Sequence, residues 1–268
     1  MVEPSMQQTG VHGASPARGQ LTLVGVGPGD PQLLTVAAVR AIEAATVVAY
    51  PIAREGAAGM AATIAAPWIA AHQRRLPLVF PMVAEAQPRI AAWRAAAAGL
   101  AAEVAAGAAV VLLCEGDASL FASCSYVLLA LAEHHPACSV RVIPGITSVA
   151  AAAAAAGAGQ PWPLALQGEG LLIRPTPEAP AELGALLDWA AGGGAAAAQT
   201  TLALLKLGHR WSWVRPLLEQ RGLLDRALFA QRVGWPEQLL APAAQVPASE
   251  QPYFSLLLIR QGWPAVLP

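Results

Sequence analysis

The sequence predicts an α/β protein made of two α/β domains. Three observations lead there. Short, continuously apolar runs alternate with stretches of helical periodicity. Glycine-rich or acidic turns recur at the ends of those runs. Pro144-Gly145 breaks the pattern near the middle of the 268-residue chain.

The elements follow in order. Leu21–Val26 is a short apolar run that reads as a buried strand. The turn Gly27-Pro28-Gly29-Asp30 comes next, and Pro31 stands where a first helical residue would, with Asp30 as its N-cap. Leu33, Leu34, Ala37, Ala41 and Ile42 form an apolar helical stripe. Thr46–Tyr50 is a second, Val-containing strand. Strand, turn, helix and strand in that order make a βαβ unit and imply a parallel sheet. A helix around Gly59–Ala71 should lead to extended chain over Leu76–Phe80. Arg89–Ala106 is predicted helical and ends at Gly107, and Ala109–Cys114 is the next strand. Ser125–His134 reads as helix and Val140–Ile143 as strand.

The domain boundary is placed at Gly145. It gives a loose tail over 1–19, a first domain over 20–145 and a second over 146–268. Thr147 or Ser148 can cap the Ala-rich helix that opens the second domain. Strands are expected at Leu171–Arg174, Thr201–Lys206, Ala227–Val233 and Phe254–Arg260, and helices at Ala181–Ala190 and Trp211–Arg221. Gly192–Ala198 is a small-residue loop. The last strand is continuously apolar over Phe254–Ile259, so it belongs inside the second sheet.

Composition narrows the function. Hydrophobic residues make up 56% of the chain and charged ones 12%, much of the excess being alanine, which favours helix. A net charge of −1 argues against a general nucleic-acid binder. Mean hydropathy is +0.48, high enough to raise the question of a membrane span. Val104–Cys114 is too short to span, and Ile146–Gly159 is mainly Ala and Gly, so both read as core elements of a soluble protein with no membrane partner. Cys114, Cys124 and Cys138 are too few and too irregular for a disulfide framework or a zinc site and read as buried thiols. Met1–Gly19 lacks the apolar core of a signal peptide. A cytoplasmic protein is therefore expected.

Three segments hold residues suited to chemistry. In Val24–Pro31 the glycines run G-x-G-x-G with Pro28 inserted, not in the G-x-G-x-x-G spacing of a dinucleotide site, and Thr46–Tyr50 carries no ribose-binding carboxylate. A tight strand-to-helix turn explains the glycines equally well. Glu115-Gly116-Asp117 ends a buried strand, where open α/β sheets place ligands. Asp117 there can accept hydrogen bonds from a ligand or cap a helix. Pro144-Gly145-Ile146-Thr147-Ser148 can present backbone N–H groups and hydroxyls to a carboxylate, or simply cap the next helix.

Taken in order, the segments Gly25–Asp30, Gly116–Ala118 and Pro144–Ser148 resemble the tetrapyrrole methylases, S-adenosylmethionine-dependent enzymes of corrin and siroheme synthesis. Asp30–Thr35 with Ala38–Ile42 is similar to the family's first helix, and the resemblance runs from about Leu21 to Arg260. Phe80-Pro81-Met82, Cys114–Asp117, Lys206-Leu207-Gly208, Gly222–Ala227 and Pro252–Ser255 look most like the branch that methylates precorrin-2 at C-20. One position departs: Ala118 stands where the family usually has proline.

The resemblance implies a fold of two α/β domains with the active-site trough between them. It implies that S-adenosylmethionine touches Pro28, Glu115, Gly116, Asp117, Leu120, Thr147, Ser148, Leu207 and Val233, the last two suiting an adenine face. Asp30, Tyr50 and Met82 would face the substrate, and Asp30 or Tyr50 would be candidates for a base. Arg54, Arg74, Arg75 and Arg94 are candidates to meet the acceptor's carboxylates. The family usually forms homodimers. No protein-bound metal is expected: His134-His135 has no acidic partner at ligand spacing, and His209 reads as structural. Trp211 and Trp213 read as packing or dimer contacts. Asp117→Ala is expected to weaken cofactor binding and leave the fold intact. The rival readings are a methylase acting on cobalt-factor II or at another position, a nucleotide-dependent oxidoreductase, and a non-enzymatic tetrapyrrole binder.

Overall fold

A computed structural model describes residues 19–156, 162–192 and 200–262. The expected tail over 1–19, apart from its last residue, and the Gly192–Ala198 loop, apart from its first, lie outside them.

The first sheet forms from β1 (Gln20–Gly25), β2 (Val47–Ile52), β3 (Arg74–Val79), β4 (Ala109–Cys114) and β5 (Val140–Ile143). Its order is β3-β2-β4-β1-β5 and every pairing is parallel, as the βαβ reading required. Burial explains which strands sit where. In the central strands Leu21, Leu23, Val24, Leu112 and Leu113 have no exposed surface, whereas the edge strand β3 alternates and carries Arg74 and Arg75 outward. Helices α1 (Val36–Ala44), α2 (Met60–Ala65), α3 (Ala86–Ala105) and α4 (Cys124–His134) connect the strands. The buried Gln73 closes α1: its amide donates to the carbonyls of Ile42 and Ala45, both at 2.6 Å. The helix expected over Gly59–Ala71 is shorter. Pro67 ends α2 in a 3₁₀ turn over Ala66–Trp68, because a proline ring cannot continue an α-helix.

The second sheet follows α5 (Ser148–Ala156). It contains β6 (Gly170–Pro175), β7 (Thr200–Leu205), β8 (Ala227–Gln231), β9 (Leu239–Pro242) and β10 (Ser255–Ile259), with α6 (Pro180–Gly192) and α7 (Trp211–Gln220) between them. The order is β6-β7-β10-β8-β9. Only β6 and β7 pair in parallel; the rest are antiparallel. The apolar β10 is buried along its length between β7 and β8, as its sequence predicts. Strand β9 was not expected. Four residues ending in proline give too short a signal, and such a segment suits only an edge.

Trp211 is a packing residue, fully buried against Phe229, its indole donating to the Pro247 carbonyl at 2.9 Å. Arg260 is also buried. Its guanidinium donates to both carboxylate oxygens of Glu169, at 2.6 and 2.7 Å, tying the end of β10 to the segment before β6.

The chain groups into two compact units. One holds the described residues up to Gly25, then Thr35–Cys114 and Phe121–Pro144. The other holds Val26–Leu34, Glu115–Leu120 and the described chain from Gly145 on. Gly145 thus opens the long last segment of the second unit, and the turns after β1 and β4 group with that unit too. No helix among the described residues is long and apolar enough to cross a membrane.

Candidate functional site

The turn after β1 is fixed by glycine. Gly27 has φ +78°, a backbone region that L side chains avoid, and its N–H and C=O exchange hydrogen bonds with Gly116 at 3.1 and 2.8 Å. Gly116 itself has φ +70°. The turns after β1 and β4 are thereby joined backbone to backbone. Asp30 accepts a hydrogen bond from the Gln32 N–H at 2.8 Å and caps the 3₁₀ turn Pro31–Leu33, as its position before Pro31 suggested.

Asp117 organises the second turn. One carboxylate oxygen accepts from the Ser119 N–H at 2.9 Å and from the Ser119 hydroxyl; the other accepts from the Gly145 N–H at 2.9 Å. Burial pushes this carboxyl's pKa up, but the bonds from Ser119, Gly145 and Ala118 outweigh burial and hold it below the ordinary value. The Asp117 carboxylate therefore shapes the loop and anchors the start of the segment leading to α5. At least three protein donors engage the carboxylate that was expected to accept from a ligand. Ala118 fits the same pattern. It is buried, and its N–H, which a proline would lack, is one of the groups favouring the charged form.

Glu115 behaves oppositely. Burial pushes its pKa up to about 7, so near neutrality it exists in both charge states. Thr147 caps α5: its hydroxyl accepts from the Ala150 N–H at 3.1 Å, which leaves the N–H groups of the first turn, with partly buried Ser148, at the helix start.

Pro28, Glu115, Gly116, Asp117, Leu120, Thr147, Ser148, Leu207 and Val233 all fall in the second unit. Leu207 departs from expectation. It has no exposed surface and packs in the core with Leu204, Trp211 and Leu257, while its N–H donates to the Ser255 carbonyl at 3.0 Å. Its side chain offers no face to an adenine in this conformation. Val233 retains 6% exposure. Tyr50 and Met82 belong to the first unit, with Arg54, Arg74, Arg75 and Arg94. Tyr50 is partly buried, and Gly59 makes room for its ring, since a Cβ there would come within 2.5 Å of it. Met82 is 78% exposed. Arg74 is paired with Glu103, so its charge is already matched.

Sequence reading missed Trp235. Its indole N–H donates to the Pro28 carbonyl at 2.8 Å. Gly234 has φ +82°, and a Cβ there would lie 2.6 Å from the Asp30 nitrogen. The dipeptide Gly-Trp just beyond a strand was the available signal, but only the fold shows what it meets. Cys114 and Cys124 are buried thiols as expected, whereas Cys138 is partly exposed. Among the described residues, no group of three or more His, Cys, Asp or Glu could hold a metal ion.

Known proteins are similar to this chain over most of its length. A precorrin-2 C(20)-methyltransferase from Sinorhizobium sp is 34% identical over 259 residues, covering 91% of this chain and 96% of that protein. A cobalt-precorrin-2 C(20)-methyltransferase from Salmonella typhimurium is 30% identical over 249 residues, covering 91% and 98%. Among solved structures, a uroporphyrin-III C-methyltransferase from Thermus thermophilus complexed with S-adenosylhomocysteine matches the fold, with TM-score 0.56, 22% identity and coverage of 90% and 92%. The family model for tetrapyrrole (corrin/porphyrin) methylases matches residues 20–245, the span that holds both sheets up to β9 and every turn described above. By that match and by the similarity to two curated methyltransferases over nearly its full length, the chain belongs to the tetrapyrrole methylase family.

Proposed function

We propose that this methylase transfers a methyl group from S-adenosylmethionine to C-20 of precorrin-2, giving precorrin-3A. The observation that carries the proposal is the 34% identity to a precorrin-2 C(20)-methyltransferase across 91% of the chain. The joined turns Gly27–Asp30 and Glu115–Leu120 add to it.

The residues present suit such a cofactor. Apart from its two chain neighbours, no atom of the described residues lies within 4 Å of the position a Gly116 Cβ would occupy, so the turn leaves room there. Glu115 can take its charged form against a cationic group. The start of α5 offers backbone N–H groups for an anionic one. Gly116, Ser148 and Val233 supply backbone and apolar surface, a mixture typical of small-molecule sites. When bound, S-adenosylmethionine would supply an activated methyl on a sulfonium for in-line attack by an electron-rich meso carbon, with S-adenosylhomocysteine as the leaving group and the ring proton passing to a base. The protein's contribution is then alignment, worth up to roughly 7–11 kcal/mol when reacting atoms are held in register. The fixed turns are built for that. Asp30, Tyr50 and Met82 remain the proposed substrate-facing residues, and Tyr50 or Asp30 the proposed bases. A cytoplasmic homodimer is part of the proposal and rests on the family resemblance.

A second acceptor is favoured by one observation. The Salmonella relative is named for cobalt-precorrin-2 and matches over the same span. The deciding experiment incubates purified protein with S-adenosylmethionine and precorrin-2, with and without cobalt in the ring, and follows mass. One added methyl on the metal-free ring, located at C-20 by NMR of labelled product, supports the first reading. Addition only to the cobalt form moves the enzyme to the second. No transfer to either overturns both.

A further inference from the structure

We propose that Trp235 is a positioning residue for the cofactor turn Gly27–Asp30, acting through the Pro28 carbonyl. The inference rests on the proposed cofactor reading and adds a residue to it.

The geometry is specific. Proline has no N–H, so the carbonyl is the only backbone hydrogen-bonding group that Pro28 offers. Pro28 is buried, and the Trp235 indole donates to that carbonyl at 2.8 Å. The chain has been pared back on both sides of this bond. A Cβ on Gly29 would lie 2.5 Å from indole Cδ1 and 2.7 Å from Nε1, and a Cβ on Gly234 would lie 2.6 Å from the Asp30 nitrogen. Two turns far apart in sequence thus approach as closely as bare backbone permits, and an indole N–H closes the contact.

The indole is itself held. The Trp235 N–H donates to the Arg232 carbonyl at 3.0 Å, the Gly234 N–H to the Gln238 side-chain oxygen at 2.7 Å, and the Arg232 N–H to the Phe254 carbonyl at 2.8 Å beside β10. The Gly27–Asp30 turn is therefore gripped twice, by Gly116 through the backbone and by Trp235 through a side chain anchored to the second sheet. Val233, two residues before Trp235, is a proposed cofactor contact, so one short turn would set both an apolar surface and the facing loop.

The test compares wild type, Trp235→Phe and Gly29→Ala by calorimetric titration with S-adenosylhomocysteine and by steady-state kinetics. Trp235→Phe keeps a ring and removes the N–H. It should raise the Kd for S-adenosylhomocysteine and the KM for S-adenosylmethionine about tenfold, as expected for an acceptor left unsatisfied in a buried turn. The tetrapyrrole KM at saturating cofactor should stay within about twofold, because Tyr50 and Met82 lie outside this turn, whereas a change in kcat would report on Asp30, which ends it. Gly29→Ala pushes the same ring from the other side and should show the same split. It decides alone if the Phe variant does not fold. Unchanged cofactor KM and Kd in a folded variant, even with a lowered Tm, would overturn the proposal and leave Trp235 a packing residue. Wild-type protein that binds no S-adenosylhomocysteine would instead overturn the cofactor reading, and this inference with it.

Discussion

Two sets of strand-end segments differ sharply in how they are held. The turns after β1 and β4 are tied by backbone exchange between Gly27 and Gly116, by the donors around Asp117 and by the Trp235 indole. The segments after β2 and β3 are open. Arg54 and Glu55 are exposed, as are Val79, Met82 and Val83, at 40%, 78% and 40%. The first set carries several of the residues proposed for the cofactor and Asp30, a proposed base; the second follows the strand that holds Tyr50 and carries Met82, both proposed for the tetrapyrrole. The difference teaches where preorganisation has been built. Polar ties fix the turns proposed for the cofactor, while apolar side chains are left exposed in the segments proposed for the tetrapyrrole.

The largest test of this contrast is Asp117→Ala. Removing the carboxylate strands the N–H groups of Gly145 and Ser119, and the expected loss is about 2–4 kcal/mol of stability. This revises the expectation that the substitution leaves the fold intact. Its effect on S-adenosylhomocysteine affinity should accompany a lowered urea midpoint. A weakened affinity with an unchanged midpoint would mean that Asp117 touches the ligand and does not hold the loop. The pH dependence has a definite sign. The folded pKa lies below the unfolded one, so the stabilisation is full above about pH 4 and fades as pH falls through the folded value. Asp117→Asn should lose that acid-side slope.

Much of this was legible in the sequence, for physical reasons. Strands buried on both faces are largely apolar, so the parallel β1 and β4 and the antiparallel β10 announce themselves, and Asp30 before Pro31 marks a cap with little ambiguity. The turns after β1 and β4 were legible because positive φ favours glycine and a buried loop needs a carboxylate to satisfy its N–H groups. Leu207 was not. An apolar side chain fits a core and a ligand face equally well, and only the packing around Trp211 and Leu257 distinguishes them. The Trp235–Pro28 bond joins residues 207 positions apart, beyond any local pattern. Strand β9 is defined by its neighbour β8 and not by its own four residues.

A smaller effect separates conformation from function. Gly116 and Gly107 both have positive φ, +70° and +87°, and both have open space where a Cβ would sit. Alanine at either should cost about 1 kcal/mol from backbone strain alone. Only Gly116→Ala should also weaken S-adenosylhomocysteine, since Gly107 merely ends α3 in the other unit. Equal affinities in the two variants, measured by calorimetry, would erase the distinction drawn between the two regions.

Glu115 provides a test read as a slope. Its folded pKa is raised to about 7, above the unfolded value, so the folded state holds the proton more tightly. Stability is then full below about pH 4.5 and declines as pH rises through 7. Glu115→Gln should flatten this decline, making the variant more resistant to urea than wild type at pH 8 and similar at pH 5. Parallel wild-type and variant profiles would show that Glu115 is solvated and not buried at the turn.

The smallest expected effect belongs to the open region. Met82 is 78% exposed, so Met82→Ser removes no buried contact and should shift Tm by less than a degree or so. If the tetrapyrrole covers this side chain, part of its apolar surface is lost to the complex, and the acceptor KM should rise about threefold. The cofactor titration should not move, because Met82 lies in the unit that holds none of the turns proposed for the cofactor. A changed S-adenosylhomocysteine affinity would couple the two regions and break the division of labour. An unchanged acceptor KM would remove Met82 from the substrate surface, leaving Tyr50 to define it.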